Sequence, residues 1–353
     1  MAHVLIAAGG TAGHVVPALA VADALRAEGA HVVFVGGERA EAKLVPAAGY
    51  ELYPIRVEGL SRTNPLKAAR AVARAGGAVA AARRVIRSVR PDVVMGGGGY
   101  VAGPVGLAAT AARVPLVLTE ADSHLGIANR LLTPAARRVC LAFPIEGREG
   151  GRYLVTGRPI GPPVTDRAAA RARFALAEDE TCVLVFGGSL GARSINEAAV
   201  GAFPDAGFRV LHVAGVRDYT TLRQLVDGRP GYDLYEYLER FGEALAACEL
   251  CVARAGGSIF EIAAHGRPAI LVPYPHASAD HQTVNARWME RAGAAVVVPD
   301  AQLDAARLRA EVDALLGDPA RLEAMSRASA SLARPDAAAV VAREVLEAAG
   351  SVR

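Results

Sequence analysis

Short runs of β-branched and other apolar residues recur along the 353-residue chain, each followed by a longer, alanine-rich stretch with helical spacing. The runs that read as strands are His3–Ala8, Val32–Gly36, Asp92–Met95, Leu116–Thr119, Val139–Phe143, Cys182–Phe186, Phe208–Val213, Leu250–Ala253 and Ala269–Val272. Strands that alternate with helices pair in parallel through crossovers, so the pattern demands α/β sheets of the doubly wound kind. It also restarts midway, because Val4–Gly10 and Val183–Gly188 each carry an apolar strand into a Gly-Gly turn. Between them, residues 156–164 hold three prolines and two glycines, a linker composition. With roughly 150 residues per domain, the economical reading is two Rossmann-like domains facing a central cleft. The expected boundaries are 1–158, a linker at 159–166, a second domain at 167–330, and a C-terminal helix at 331–353 returning to the first.

Two uncharged stretches test a membrane reading. Residues 93–112 have the length of a span, but they contain six glycines and Pro104. They read as strand, glycine loop and helix. Met1 to Ala22 lacks the basic start and continuous apolar core of a signal peptide, being interrupted by Gly9, Gly10, Gly13, His14 and Pro17. Neither an export signal nor a transmembrane helix is expected. Cys140, Cys182, Cys248 and Cys251 sit in or beside apolar runs without paired zinc spacing, which predicts buried thiols in a reducing cytoplasm. His276, Asp280 and His281 lack a third partner at ligand spacing, so no metal site is expected.

Ligands of open α/β sheets bind beyond the carboxyl ends of the strands. Three glycine-rich turns fall there: 9–14 (Gly-Gly-Thr-Ala-Gly-His), 96–103 and 187–193. Glycine lets backbone amides approach an anion, and the following helix adds its positive end. None matches a dinucleotide or Walker A pattern. A fourth dense segment, Arg254-Ala-Gly-Gly-Ser-Ile-Phe-Glu261, places Ser258 at a helix start and Glu261 one turn in. A carboxylate there can accept the two hydroxyls of a ribose; Ser258 and Glu261 can equally form a helix-capping pair. Gln282 and Asn285, three residues apart on one helix face, can hydrogen-bond a sugar.

Together, the segments 9–14, 98–104 (Gly-Gly-Tyr-Val-Ala-Gly-Pro), 187–193, 254–261 and 280–286 (Asp-His-Gln-Thr-Val-Asn-Ala) closely resemble, in the same order, the MurG family of glycosyltransferases. Members of that family add N-acetylglucosamine to lipid I, giving lipid II for peptidoglycan. The resemblance implies a GT-B fold of glycosyltransferase family 28, an inverting displacement, and no essential metal or cofactor. It further implies an enzyme at the cytoplasmic face of the cell membrane, bound peripherally.

Carried onto this chain, the resemblance gives Gly188, Ser189 and Gly191 the donor diphosphate, and Glu261 the ribose. Leu238 falls to uracil by a backbone contact, and Gly257, Ser258, Gln282 and Asn285 to the rest of the donor. Thr11, Ala12, Gly13, Gly98, Gly99 and Tyr100 fall on the acceptor side. His14 is the sharpest candidate for general base, its ordinary pKa near 6.5 suiting proton transfer at neutral pH; a helix-capping or phosphate-binding ring is the alternative. Glu120 and Asp122 are its rivals.

Three departures from the family pattern stand out. Thr119-Glu-Ala-Asp122 replaces His-Glu-Gln-Asn, Gly157-Arg-Pro-Ile-Gly161 replaces Gly-Asn-Pro-Val-Arg and moves the arginine to Arg158, and residues 254–261 are one residue short.

The balance of 39 Lys+Arg against 36 Asp+Glu hides a local asymmetry. Between Gly59 and Pro91 there are eight basic residues, Lys67, Arg70, Arg74, Arg83, Arg84 and Arg87 among them, and no acidic one. Leu66, Val72, Val79, Val85, Ile86 and Val89 interleave with them, as an element docking on an anionic membrane requires. An ordinary helix with a solvated arginine face is the alternative. The stretch has no aromatic residue on which bases could stack, so nucleic acid is not an expected partner. Within the same superfamily a different lipid acceptor, a UDP-N-acetylglucosamine 2-epimerase, or a non-catalytic UDP-sugar-binding module would share the donor motifs.

Overall fold

The computed structural model describes residues 1–57, 65–188, 190–277 and 280–350, with the side chains of 65–75 outside that description. The chain divides into two units, Met1–Gly161 with Arg334–Arg353, and Pro162–Ala333. Each is built on one parallel sheet with helices on its faces. Among the described residues the first sheet holds β1 (His3–Ala7), β2 (His31–Gly36), β3 (Glu51–Pro54), β4 (Val93–Gly96), β5 (Leu116–Glu120), β6 (Arg138–Leu141) and β7 (Tyr153–Val155), in the order 3-2-1-4-5-6-7. The second holds β8 (Cys182–Phe186), β9 (Arg209–Val213), β10 (Tyr232–Tyr235), β11 (Leu250–Ala253), β12 (Ala269–Leu271) and β13 (Ala295–Val297), in the order 10-9-8-11-12-13. The two Rossmann-like parallel sheets read from the sequence are present.

Both faces of each sheet are buried, which is why the central strands are apolar without alternation. In β1, Val4 and Ile6 pack on one side with Val15, Val21 and Leu25 of helix Ala12–Ala27 and with Val341 and Val345 of helix Ala337–Gly350. Leu5 and Ala7 pack on the other with Ile86 of helix Pro65–Val89 and with Val101 and Val105 of helix Gly99–Ala111. Each fully buried Val, Leu or Ile contributes roughly 1.5–3 kcal/mol. The uncharged run at 93–112 divides into β4, a glycine turn and helix Gly99–Ala111, as its glycines foretold. None of the described helices is long and apolar enough to cross a membrane. All four cysteines are buried and unbridged.

Register decides where the chemistry sits. β1 pairs with β4 so that Ala7 lies beside Gly96, and the turns after both strands therefore leave the sheet side by side. β8 pairs with β11 so that Phe186 lies beside Ala253, which brings the turn at Gly187 next to that at Arg254. In both sheets these are the strands where the order reverses, the crevice in which open α/β sheets hold ligands.

The basic helix Pro65–Val89 corrects one expectation. Ile86 is buried, Val79, Val85 and Val89 pack against the first unit's core, and Arg83, Arg84 and Arg87 point to solvent. These apolar residues are engaged by the fold rather than available to a lipid surface. The side chains of Leu66, Lys67, Arg70, Val72 and Arg74 lie outside the described residues.

Candidate active site

In the first unit, Thr11 is the N-cap of helix Ala12–Ala27 and makes no side-chain capping bond, leaving Thr11, Ala12 and Gly13 exposed. His14 follows in the first turn, half-buried, its ring laid against the turn after β4. A β-carbon on Gly98 would sit 2.9 Å from His14 Nδ1, and one on Gly99 would sit 1.9 Å from the Gly9 carbonyl. Both positions also have positive φ, so the two turns meet backbone to backbone only because they are glycine. His14 Nδ1 is buried without a protein hydrogen-bond partner. Burial and the Arg158 guanidinium hold the imidazole below its ordinary pKa, against an opposing pull from Asp122. The ring is therefore neutral at neutral pH and able to accept a proton. Arg158 donates to the carbonyl of Gly13, so it is anchored beside His14 in the first unit. A cavity of about 20 Å³ beside His14, bordered by Thr119, Glu120, Thr156 and Arg158, has room for about one water.

Glu120 ends β5 and is buried, with both carboxylate oxygens engaged. Oε1 accepts from the Asp122 amide at 3.1 Å, and Oε2 from the Gly126 amide at 2.8 Å and Asn129 Nδ2 at 2.9 Å. Burial raises its pKa and these donors pull it back, leaving a net rise. Glu120 thus closes the 121–126 loop on which Asp122 sits half-buried beside His14. Tyr100 does not extend its hydroxyl to solvent; it donates to Glu41 at 2.8 Å.

In the second unit, Gly188 and Gly191 form the turn before helix Arg193–Ala202, the Gly191 amide donating to the Gly188 carbonyl at 2.9 Å. Ser189 lies outside the described residues. Gly257 and Ser258 follow β11. Ser258 is the N-cap of helix Ile259–Ala264 but makes no side-chain capping bond, so the capping-pair reading of Ser258 and Glu261 is not realised on the serine side. Gln282 and Asn285 share a face of helix His281–Arg291: Gln282 accepts from the Tyr274 amide at 2.9 Å, and Asn285 donates to the Ala255 carbonyl at 3.0 Å. Asn285 is buried, with Oδ1 unpartnered. Leu238 is half-buried in the turn after β10.

A histidine the sequence did not single out braces the Gly188–Gly191 turn. His212 on β9 is fully buried, with Nε2 3.0 Å from Asn196 Oδ1 and Nδ1 2.8 Å from the Tyr232 hydroxyl. Asn196 Nδ2 donates to the Ala214 carbonyl and to Asp218, so its Oδ1 must accept and His212 carries its proton on Nε2. Burial lowers the His212 pKa to about 3. A histidine with a lowered folded pKa contributes stability that is complete above about 6.5 and lost as pH falls toward 3. Trp288, the chain's one tryptophan, lies in the second unit and reports its unfolding. Below pH 6.5 this group alone should reduce the Trp288-reported unfolding free energy by about 1.4 kcal/mol per pH unit. His212→Gln should remove that share; an identical slope in the variant refutes the assignment.

The family model for the glycosyltransferase family 28 N-terminal domain matches residues 4–141, and that for its C-terminal domain matches residues 182–341. The chain belongs to glycosyltransferase family 28. Curated members similar to it include the UDP-N-acetylglucosamine–N-acetylmuramyl-(pentapeptide) pyrophosphoryl-undecaprenol N-acetylglucosamine transferases of Salinibacter ruber and Alkalilimnicola ehrlichii. The first is 41% identical over 99% of this chain and 98% of the relative, the second 43% identical over 98% of each. The crystal structure of Acinetobacter baumannii MurG superposes with a TM-score of 0.78 at 29% identity, covering 98% of this chain and all of that one. A UDP-GlcNAc 2-epimerase from Neisseria meningitidis shares the fold alone, at 13% identity and a TM-score of 0.68. The MurG resemblance read from five motifs is borne out, and the chain is a glycosyltransferase of the GT-B fold.

Sequence reasoning passed over two residues beside these turns, Glu41 and Arg254. Glu41 reads as one acid in an alanine-rich helix, and nothing in its spacing marks it. Arg254 opens its motif, yet its spacing gives it no role. It is buried, donating to Asp300, to Ser194 and to the carbonyls of Val272 and Pro273, and it lies over the Tyr274 ring. It thereby ties the turn after β11 to the start of helix Arg193–Ala202. Only its place directly after a buried strand could have signalled this.

Proposed function

We propose that this chain transfers N-acetylglucosamine from UDP-N-acetylglucosamine to the 4-hydroxyl of the muramyl sugar of undecaprenyl-diphospho-N-acetylmuramoyl-pentapeptide, lipid I, with inversion, forming lipid II for peptidoglycan. The observation that carries it is near-full-length identity of 41–43% with enzymes bearing that activity in their names. The first unit takes the acceptor and the second the donor. His14, kept neutral, accepts the proton of the attacking hydroxyl. The new C–O bond forms at the anomeric carbon as the bond to the β-phosphate oxygen breaks, and UDP leaves with the electron pair. Thr11, Ala12 and Gly13, with the turn at Gly98 and Gly99, face the acceptor diphosphate. Arg158, held on the Gly13 carbonyl, adds positive charge there.

In the second unit, amides of the Gly188–Gly191 turn stabilise the departing diphosphate with donors already in place. Glu261 holds the ribose, the backbone at Leu238 meets uracil, Asn285 holds the turn after β11 through the Ala255 carbonyl, and Gln282, on the same helix face and bonded to the Tyr274 amide, faces the donor sugar. Glu120 keeps the 121–126 loop, and so Asp122, in place. The exposed Arg83, Arg84 and Arg87 dock the protein on the anionic cytoplasmic leaflet where lipid I resides.

Labelled N-acetylglucosamine should pass to a lipid I analogue both in detergent and in vesicles containing anionic lipid. No product while UDP still binds refutes the transferase reading. Reversing Arg83, Arg84 and Arg87 to Glu should weaken vesicle binding on the order of a hundredfold, at about 1 kcal/mol per basic group, and leave the detergent rate unchanged. Equal vesicle rates refute the docking face.

A further inference from the structure

Glu41 is the second residue of helix Ala40–Ala47 and is fully buried. A carboxylate out of water is costly unless its oxygens are satisfied, and here three donors satisfy them. Oε2 accepts from the Gly10 amide at 2.8 Å; Oε1 accepts from the Gly37 amide at 2.9 Å and the Tyr100 hydroxyl at 2.8 Å. The three donors lie just beyond three different strands at the carboxyl edge of one sheet: Gly10 in the turn after β1, Gly37 in that after β2, and Tyr100 in the first turn of helix Gly99–Ala111, which follows the turn after β4. Burial alone would raise the Glu41 pKa, but the Gly10, Tyr100 and Gly37 donors outweigh it and the carboxyl titrates below its ordinary range. Tyr100 is correspondingly pushed up to about 12 by burial and by Glu41, so it remains a donor at physiological pH. The Arg39 guanidinium covers the Tyr100 ring at 5.1 Å and helps hold it.

Gly10 and Tyr100 stand close on either side of the contact that matters for His14. Gly10 precedes His14 by four residues in the turn after β1. Tyr100 follows Gly98 by two, and Gly98 is the surface on which the His14 ring rests. The separation of these two turns fixes where the ring lies, and Glu41 spans it with one anchor on each. The same carboxylate occupies the Gly10 amide, which in a Rossmann turn is a natural anion donor, so a substrate phosphate is directed toward the exposed Thr11–Gly13 end instead.

We propose that Glu41 is a positioning residue of the transferase, acting through Gly10 and Tyr100 to set the distance between the two acceptor-side turns and hence the placement of His14. The proposal rests on the catalytic reading of His14 given above. Glu41 itself touches no reacting atom.

Glu41→Gln keeps the shape but turns an amide donor toward backbone donors, and Tyr100→Phe deletes one of the three bonds while sparing the buried carboxylate. For Glu41→Gln the expected result, per folded molecule, is a fall in kcat of about tenfold or more with a raised KM for the lipid acceptor and an unchanged KM for the UDP sugar; small misplacements of a reacting group have effects of this order. Tyr100→Phe should show the same split at a smaller size. A residue that only stabilises the fold would lower the melting temperature and leave this split absent.

A second measurement needs no turnover: the NMR titration of the His14 ring in substrate-free protein should move its midpoint in both variants relative to the parent. Kinetic constants within twofold of the parent together with an unmoved His14 titration in Tyr100→Phe overturn the proposal, whether or not Glu41→Gln folds. If the parent itself makes no lipid-linked product, the transferase reading fails while the titration still decides whether Glu41 positions His14.

Discussion

His14→Ala is expected to lower kcat by roughly 10²- to 10⁴-fold, the usual contribution of a positioned general base, while leaving the KM for the UDP sugar close to that of the parent. Burial and Arg158 depress the imidazole pKa, so at pH 7.5 nearly every molecule carries the neutral base. The lowered pKa also fixes the sign of the pH dependence. kcat/KM should fall on the acid side as the imidazole gains its proton, with the midpoint of that fall below the ordinary histidine value. Asp122 acts in the opposite direction on the same ring, so Asp122→Asn should move the acid limb to still lower pH. A His14→Ala enzyme within fivefold of the parent in kcat would remove His14 from the role. The base would then have to be sought at Asp122, because Glu120 already has both oxygens engaged by its own loop.

Which parts of the fold were legible follows from where each strand lies. The nine strands read from the sequence all occur. The four that were not read, β3, β7, β10 and β13, are the outermost strands of the two sheets. Central strands such as β4 and β8 are buried at every position and spell uninterrupted apolar runs, whereas β3 and β7 are only partly covered and mix Glu51 or Tyr153 among their apolar residues. An edge strand has a neighbour on one side only, so its sequence is not forced to announce it.

The site divides in the same way. Turns where backbone approaches backbone must be glycine, and those glycines were visible. The residues that brace the turns were not, because Asn196, His212 and Asp300 find their partners 16 or more positions away and Glu41 finds two of its three, Gly10 and Tyr100, 31 and 59 positions away. The apolar residues Val79, Val85, Ile86 and Val89 of the basic helix are the instructive case. They satisfy the pattern of a membrane-facing helix and of a core-facing one alike, and only packing separates the two.

Gly191→Ala should abolish tight UDP binding, an expected loss on the order of a hundredfold for a displaced binding group. A β-carbon there would lie 1.9 Å from the Ala214 carbonyl oxygen, and the residue sits at φ +78°. The positive φ by itself costs an L-residue about 1–2 kcal/mol. The clash is the larger part, because its partner is backbone and no side-chain rotation relieves it. Either the turn after β8 or the segment at Ala214 must move, and Ala214 is held by Asn196, which His212 orients. Gly207 separates the two contributions: it has φ +71° and a β-carbon added there would meet nothing within 4 Å, so Gly207→Ala carries the conformational cost without the clash. Its UDP affinity should match the parent's, with unfolding shifted only slightly. Isothermal titration with UDP on both variants decides the matter; Gly191→Ala binding UDP within threefold of the parent would show that the turn's amides are not what holds the diphosphate.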